Sequence, residues 1–474
     1  MDSKQQGAGP RETLGLVQAV AIVVGIVIGA GIFKAPSLVA MNTTSETWML
    51  FAWVLGGVVS LLGALCYAEL ATAYPSAGGD YHFLHRAFGR HVSFLFAWSR
   101  FSVITTGSIA LLAFVFGDYM TQIVPLGAHS SAIWGAASIL ALTWLNIRGV
   151  REGATVQLLL TIVEASGLVL VFVAGVVAAL GGLGPSDAAA GSAASAAAGA
   201  AAAGGAGAAR AFSWSAFGLA MVFVLLTYGG WNEAAYISAE IKDRKRNMVK
   251  AMVASILAVT VLYLLANWAY LAGLGMSGMA KSQAVAADLL KVSFGPVGAV
   301  LVSVMVAVSA LTSINATMIV GARSNFALGR DWAALGKLGV WVDERGTPAN
   351  ALLVQGALAL VLMMLGIATG SGFSTMVEYT APVFWLFFLL SGISLFVLRA
   401  REPNAERPFR VPLYPVVPLV FCAACAYMLY SSLTYVGSST FAGVNAAWVG
   451  VCVLAVGVLL LVVVARSSRP RAAR

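Results

Sequence analysis

The sequence predicts an all-α integral membrane protein with twelve transmembrane helices. Three observations carry that prediction: composition, the length of the apolar runs, and the placement of positive charge. Of 474 residues, 60% are hydrophobic and only 10% are charged, and the mean hydropathy is +0.89. So little charge does not coat a water-soluble globule of this size. A hydrocarbon core of about 30 Å takes about 20 apolar residues per helical crossing, and the runs place spans near 16–42, 48–73, 92–120, 131–148, 153–180, 214–241, 248–274, 292–325, 349–369, 373–399, 414–435 and 444–466. These runs are uniformly apolar, which excludes an outer-membrane barrel with its alternating strands. A large soluble domain and a disordered chain are excluded by the same composition.

With an even number of spans and the N-terminus inside, 23 of the 28 Lys and Arg residues fall on the cytoplasmic side. Such asymmetry sets the expected orientation, with both termini cytoplasmic. The net charge of +9 is therefore read as a topology signal, and without a basic stripe interleaved with aromatics no nucleic-acid partner is expected. The polar start, 1–15, carries no cleavable signal pattern and is expected to be a cytoplasmic tail. Helices 1–5 then occupy 16–180. A run at 181–211, of which 24 of 31 residues are Gly or Ala, reads as an extracellular linker. Helices 6–10 fill 212–399, a cytoplasmic loop spans 400–413, helices 11 and 12 fill 414–466, and 467–474 is a second cytoplasmic tail. The cysteines, Cys66, Cys422, Cys425 and Cys452, all lie in apolar runs and read as packing residues.

Two of these helices are interrupted by glycine at corresponding positions. Helix 1 carries Gly25-Ile-Val-Ile-Gly29-Ala30-Gly31-Ile32-Phe33, with Pro36 beyond, and helix 6 carries Leu226-Thr227-Tyr228-Gly229-Gly230-Trp231-Asn232. Each opens a block of five helices. Unwound backbone in hydrocarbon leaves N–H and C=O groups unsatisfied, so such a break persists only beside protein, a cavity or a polar ligand. Matched breaks in two halves point to an inverted-repeat transporter with its site at the midplane. Freed N–H groups at a half-helix N-terminus attract an anion and freed carbonyls accept from a cation. A zwitterionic amino acid supplies both on one carbon. The competing account of these glycines is close helix packing.

At these residues the chain resembles the amino acid/polyamine/organocation superfamily, and within it the L-type amino acid transporter family and its bacterial relatives, along nearly its whole length. The matching motifs are Ile28-Gly-Ala-Gly-Ile-Phe33, Tyr228-Gly-Gly-Trp-Asn232 running on to Glu240-Ile-Lys-Asp-Arg-Lys-Arg-Asn247, Tyr74-Pro-Ser-Ala-Gly-Gly-Asp-Tyr81 followed by Ala87-Phe-Gly-Arg90, and Asn315 through Gly321-Ala-Arg323 to Gly329-Arg-Asp331. The resemblance implies two inverted five-helix repeats (a LeuT-type fold) plus two peripheral helices, with helices 1 and 6 unwound at mid-membrane. It also implies a substrate site along Val27, Gly29, Ala30, Gly31, Ile32, Leu226, Thr227, Tyr228, Gly229, Gly230 and Asn232. The amides of Ala30 and Gly31 would take the carboxylate, the carbonyls of Val27, Leu226 and Gly229 the amino group, and Asn232 would line the cavity. Ala30 stands where relatives often carry Ser, and Leu226 where many carry an aromatic gate.

Glu164, in the middle of helix 5, is costly unless compensated, at about 2.5–3.5 kcal/mol. In the resembled family this position usually holds a lysine tying helix 5 to helix 1. Three readings stay open: Glu164 couples a proton to transport, replaces the lysine as a neutral donor, or is a structural carboxyl bonded to helix 1 or Arg100. Arg100 itself is expected to snorkel to the headgroups, and Lys34 to face the outer vestibule. Glu69 and Arg323 are candidates for inner-gate ion pairs or solvated helix ends. Ser313 and Asn315 either line the cavity or bond between helices. Glu233 and Glu378 are further candidate cavity carboxylates.

His82, His85 and His91 do not converge as zinc ligands do, so no metal site is expected. No phosphate loop, nucleophile–base pair or HExxH motif appears, so no cofactor, no ATP and no enzyme are expected. The resulting expectation is a secondary transporter moving amino acids by alternating access, as exchanger or facilitator, in the lipid bilayer. A proton symporter using Glu164 is the alternative, and a non-transporting amino acid sensor or scaffold the alternative of another class. Eukaryotic members pair with a glycoprotein through a cysteine after helix 3, and 120–130 contains none. No disulfide-linked heavy chain is therefore expected, and a bacterial inner membrane is the expected setting.

Overall fold

In the computed structural model, the described residues are 15–76, 78–149, 154–184, 212–235, 241–332, 335–342, 347–370, 372–434, 440–441 and 444–467. Most of the expected 181–211 linker, both tails and Glu240 lie outside them. Apart from loops and turns, the described residues are helical, with a two-stranded antiparallel hairpin, Thr440–Phe441 with Val444–Asn445, and an isolated bridge between Val342 and Thr347. Among the described residues, nine helices are long and apolar enough to cross a membrane. Shorter apolar segments lie at Leu16–Val27, Ser166–Leu180 and Ala446–Val462. Their outer faces carry Leu140, Trp144, Val261, Val361 and Leu459, all more than half exposed. Bare apolar bands of this kind mark a surface made for lipid.

The chain-order elements that build the interior are α1 (Leu16–Val27), a 3-10 turn (Ala30–Phe33), α2 (Ala35–Met41), α3 (Glu46–Ala73) and the short α4 (Gly79–Phe88). Next come α5 (Arg90–Ser99) and α6 (Thr106–Ile123), joined by a π-helical segment at Arg100–Thr105, then α7 (Ser130–Ile147) and α8 (Ala154–Leu180). A second set follows: α9 (Trp214–Thr227), a 3-10 turn (Trp231–Ala235), α10 (Arg244–Lys281), α11 (Val285–Asp331), α12 (Ala349–Ala368) and α13 (Gly372–Arg401). Peripheral α14 (Val416–Thr434) and α15 (Ala446–Ser467) complete the chain. Ser45 and Ser213 cap α3 and α9 by accepting the amides of Trp48 and Ala216, the usual answer to orphan donors at a helix start.

Helix packing sets the interior. Lipid is as apolar as leucine, so helices associate through close contact of small residues. Gly63 of α3 is one such point: a methyl group there would lie 2.6 Å from the Trp231 ring. Beyond the span expected at 248–274, helix continues to Lys281, and another turn of helix begins at Val285. Gly275 (φ 62°) and Gly295 (φ 70°) redirect these helices. Both angles fall where glycine has no steric penalty. Polar residues such as Lys281, Gln283 and Asp288 interrupt the apolar run here, so the spans expected from the sequence stop at 274 and resume at 292.

Candidate functional site

The site begins where two helices stop. The α1 helix ends at Val27, Gly29 takes an extended conformation (φ −101°, ψ −175°), and the 3-10 turn then leads into α2. The α9 helix ends at Thr227, and Gly230 adopts φ 106° before the second 3-10 turn. The two interruptions face each other. A methyl group on Gly31 would stand 3.4 Å from the Thr227 side chain.

Between them opens a cavity of about 420 Å³. Of the residues singled out from the sequence, Val27, Gly29, Ala30, Gly31, Leu226, Thr227, Gly229, Gly230 and Asn232 line it, as does Ser313 of α11. Ile32 and Tyr228 are fully buried and are not among the lining residues; the Tyr228 hydroxyl donates to the Trp53 carbonyl at 3.0 Å. Phe373, Phe384, Phe387 and Phe388 of α13 supply a broad apolar wall. An aromatic wall with polar backbone opposite suits a ligand with a charged head and an organic side chain.

The freed carbonyls already have partners in this conformation. Tyr263 of α10, fully buried, donates its hydroxyl to Val27 at 2.8 Å and lies 3.1 Å from the Thr227 carbonyl. The Gly29 amide also donates to Val27, and the Gly229 amide to Leu226. One tyrosine therefore ties both helix ends. Sequence reading passed over it, although Thr260, Tyr263 and Asn267 form a polar stripe at helical spacing inside an apolar run.

Charged groups gather at one end of the cavity. Arg100 Nη2 lies 3.3 Å from Glu233 Oε1 and 3.4 Å from Oε2, and both residues line the cavity. Arg100 thus pairs inward, against the expectation of snorkelling. Arg100 opens the π-helical segment, a local departure from the α-helix of a kind frequent at functional sites. The Tyr379 hydroxyl bonds the Ser102 carbonyl within that segment at 3.0 Å. Asp80, from the Gly-Gly-Asp motif in α4, joins the same end. It accepts from Tyr67 and Ser391, and Asn232 Nδ2 stands 3.5 Å away. Burial pushes its carboxyl above the usual range, and the two hydroxyls pull it back.

Lys34 does not face a vestibule. It is 4% exposed and bonds Asp118 Oδ2 at 2.7 Å and the Gln283 carbonyl at 2.7 Å. The backbone turn after the α1 break carries its ammonium into protein, where Asp118 of α6 compensates it. Glu164 is buried and accepts from Ser309 Oγ at 3.0 Å; it does not line the cavity. Glu233 lines it and Glu378 does not. Asn315 accepts from Asn146 Nδ2 at 2.7 Å, a bond between helices. Glu69 is 1% exposed and accepts from Arg399 Nε at 2.7 Å and the Val411 amide at 2.7 Å, while Arg323 is exposed. His85 meets Ser93 at 3.2 Å. No group of three or more metal-ligating side chains occurs among the described residues.

Comparison with known proteins gives one consistent answer. The chain is 30% identical over 427 residues to the b(0,+)-type amino acid transporter 1 of Mus musculus, covering 89% of this chain and 83% of the relative. It is 31% identical over 432 residues to the Asc-type amino acid transporter 1 of Mus musculus, covering 89% and 76%. It is 28% identical over 431 residues to the serine/threonine exchanger SteT of Bacillus subtilis, covering 90% and 92%. The amino acid permease profile matches residues 14–464. With matched helix interruptions facing a single cavity and that profile running almost end to end, the chain belongs to the amino acid permease family.

Proposed function

We propose that this multi-pass membrane protein exchanges or facilitates the movement of amino acids by alternating access. The observation that carries the reading is the convergence of the α1 and α9 interruptions on one cavity. Ala30 and Gly31 amides hold the carboxylate. The carbonyls of Val27, Leu226 and Gly229 receive the ammonium, with Tyr263 yielding part of its bond to Val27. The aromatic wall of α13 then takes the side chain. The same arrangement supports the finer architecture: twelve crossings, two inverted repeats at 16–180 and 212–399, and helices 1 and 6 unwound at mid-membrane. Both termini would face the cytoplasm of a bacterial cell, without a disulfide-linked heavy chain.

Counterflow in proteoliposomes tests this. Labelled amino acid outside is expected to accumulate only when unlabelled amino acid is loaded inside. Binding without exchange would instead identify a sensor. The proton-coupled alternative rests on Glu164, whose observed partner is a hydroxyl that serves either protonation state. Uptake by Glu164→Gln measured across pH separates the two modes: an unchanged profile leaves exchange, and a flattened one establishes coupling.

A further inference from the structure

We propose that the Arg100–Glu233 pair reads the charge of the substrate's side chain and holds the cavity to neutral amino acids. The inference rests on the transport reading above and adds a residue pair that sets specificity.

The cavity has two chemically distinct parts. Around Gly29–Gly31 and Leu226–Gly230 it presents backbone groups, which recognise any α-amino acid alike. Beyond them the described lining residues are apolar or hydroxylic, with the Asn232 amide, except at one end, where Asp80, Arg100 and Glu233 are the charged ones among the described residues. A side chain reaching that end meets a guanidinium and a carboxylate already paired. The pair is accessible: the Arg100 side chain is 15% exposed and that of Glu233 is 32% exposed. It is also loosely made, since a single nitrogen reaches both oxygens at 3.3 and 3.4 Å rather than two nitrogens meeting two oxygens. A well-formed bidentate fork would be shorter and harder to open.

This geometry has a direct consequence for selection. A neutral side chain leaves the pair undisturbed. A cationic side chain must compete with Arg100 for Glu233, and an anionic one with Glu233 for Arg100, so each charged class sets like charges together in a partly dehydrated site. The π-helical segment supports a functional role, because Arg100 both opens it and lines the cavity, and such segments recur at functional sites. A pair serving only helix packing has no need of lining the cavity with both members.

The test is exchange selectivity in proteoliposomes with leucine, lysine and glutamate as competing substrates. For Arg100→Gln, the lysine-to-leucine ratio is expected to rise by about tenfold or more, since Glu233 and Asp80 are left facing the substrate. For Glu233→Gln, the glutamate-to-leucine ratio rises by a smaller factor, because Asp80 still opposes Arg100. The double variant R100Q/E233Q returns both ratios toward wild type. Should one single variant fail to fold, the other still reads its own ratio, and thermal stabilisation by lysine or glutamate relative to leucine reports binding without transport. Unchanged ratios in folded variants overturn the proposal, as does wild-type protein that exchanges lysine or glutamate as well as leucine. Wild-type protein that exchanges no amino acid overturns the transport reading, and this inference falls with it.

Discussion

Two ion pairs near the interrupted helices differ in quality. Lys34 and Asp118, packed within protein and not lining the cavity, meet at 2.7 Å with side chains 5% and 16% exposed, reinforced by Gln283. Arg100 and Glu233, which both line the cavity, meet at 3.3 Å with side chains 15% and 32% exposed. Both cations lie on segments that leave the regular α-helix, one after the α1 break and one at the π-helical turn. A buried charge depends wholly on its partner, whereas an accessible one is shared with water. The first pair therefore fastens the fold, and the second can be opened by a ligand. Beside Lys34 the Tyr119 hydroxyl also bonds the Phe33 carbonyl at 2.7 Å, fastening the broken helix to α6.

Breaking the pairs separately measures that contrast. Asp118→Asn or Lys34→Met is expected to destabilise the protein most, by about 3–5 kcal/mol, because the remaining charge stays buried without its counter-charge. Glu233→Gln is expected to cost no more than about 1 kcal/mol. Unfolding in one detergent or lipid system compares them directly, and equal losses would erase the distinction drawn between the two pairs.

Tyr263→Phe sharpens the view of the middle. It removes the hydroxyl tying Val27 to Thr227 while keeping the ring, and leaves a buried carbonyl short of one donor, worth about 1–3 kcal/mol. Exchange is expected to fall by about tenfold with less effect on thermal stability than loss of the Lys34 pair. A variant exchanging at the wild-type rate would show that the bridge is incidental to the site.

The smallest effect belongs to a surface pair that does not line the cavity. Arg86 Nε and Nη2 each meet Glu402 at 2.8 Å. The Arg86 guanidinium holds the Glu402 carboxyl below its usual range. A lowered carboxylate contributes stability that is complete above its unfolded value of 4.5 and lost as the pH falls through the folded value. Wild type and Glu402→Gln should therefore differ slightly at neutral pH and converge at acidic pH. A difference that does not shrink as the pH is taken from neutral to well below 4.5 would remove the assigned cause.

How far the sequence could be read follows from the physics of each feature. Lipid imposes its length scale on every crossing, so the apolar runs revealed the helical class without any knowledge of neighbours. Glycine pairs in otherwise apolar helices likewise marked Gly29–Gly31 and Gly229–Gly230, since exposed backbone in hydrocarbon needs a local cause. Partners were not legible in this way. Lys34, Arg100 and Asp80 each meet a group far away along the chain, and a charge in a list of residues has no direction. Tyr263 was missed because an aromatic residue in an apolar helix looks like packing until its hydroxyl is seen between two carbonyls.

By itself the sequence determined a membrane-spanning helical protein with two interrupted helices, because bilayer thickness and backbone hydrogen bonding act locally. Only the tertiary structure decided which charges became neighbours, which pair is buried in protein and which lines the cavity. Those outcomes depend on helix rotation and on one inserted π-helical residue, and a turn of a few tens of degrees moves a side chain from lipid to cavity.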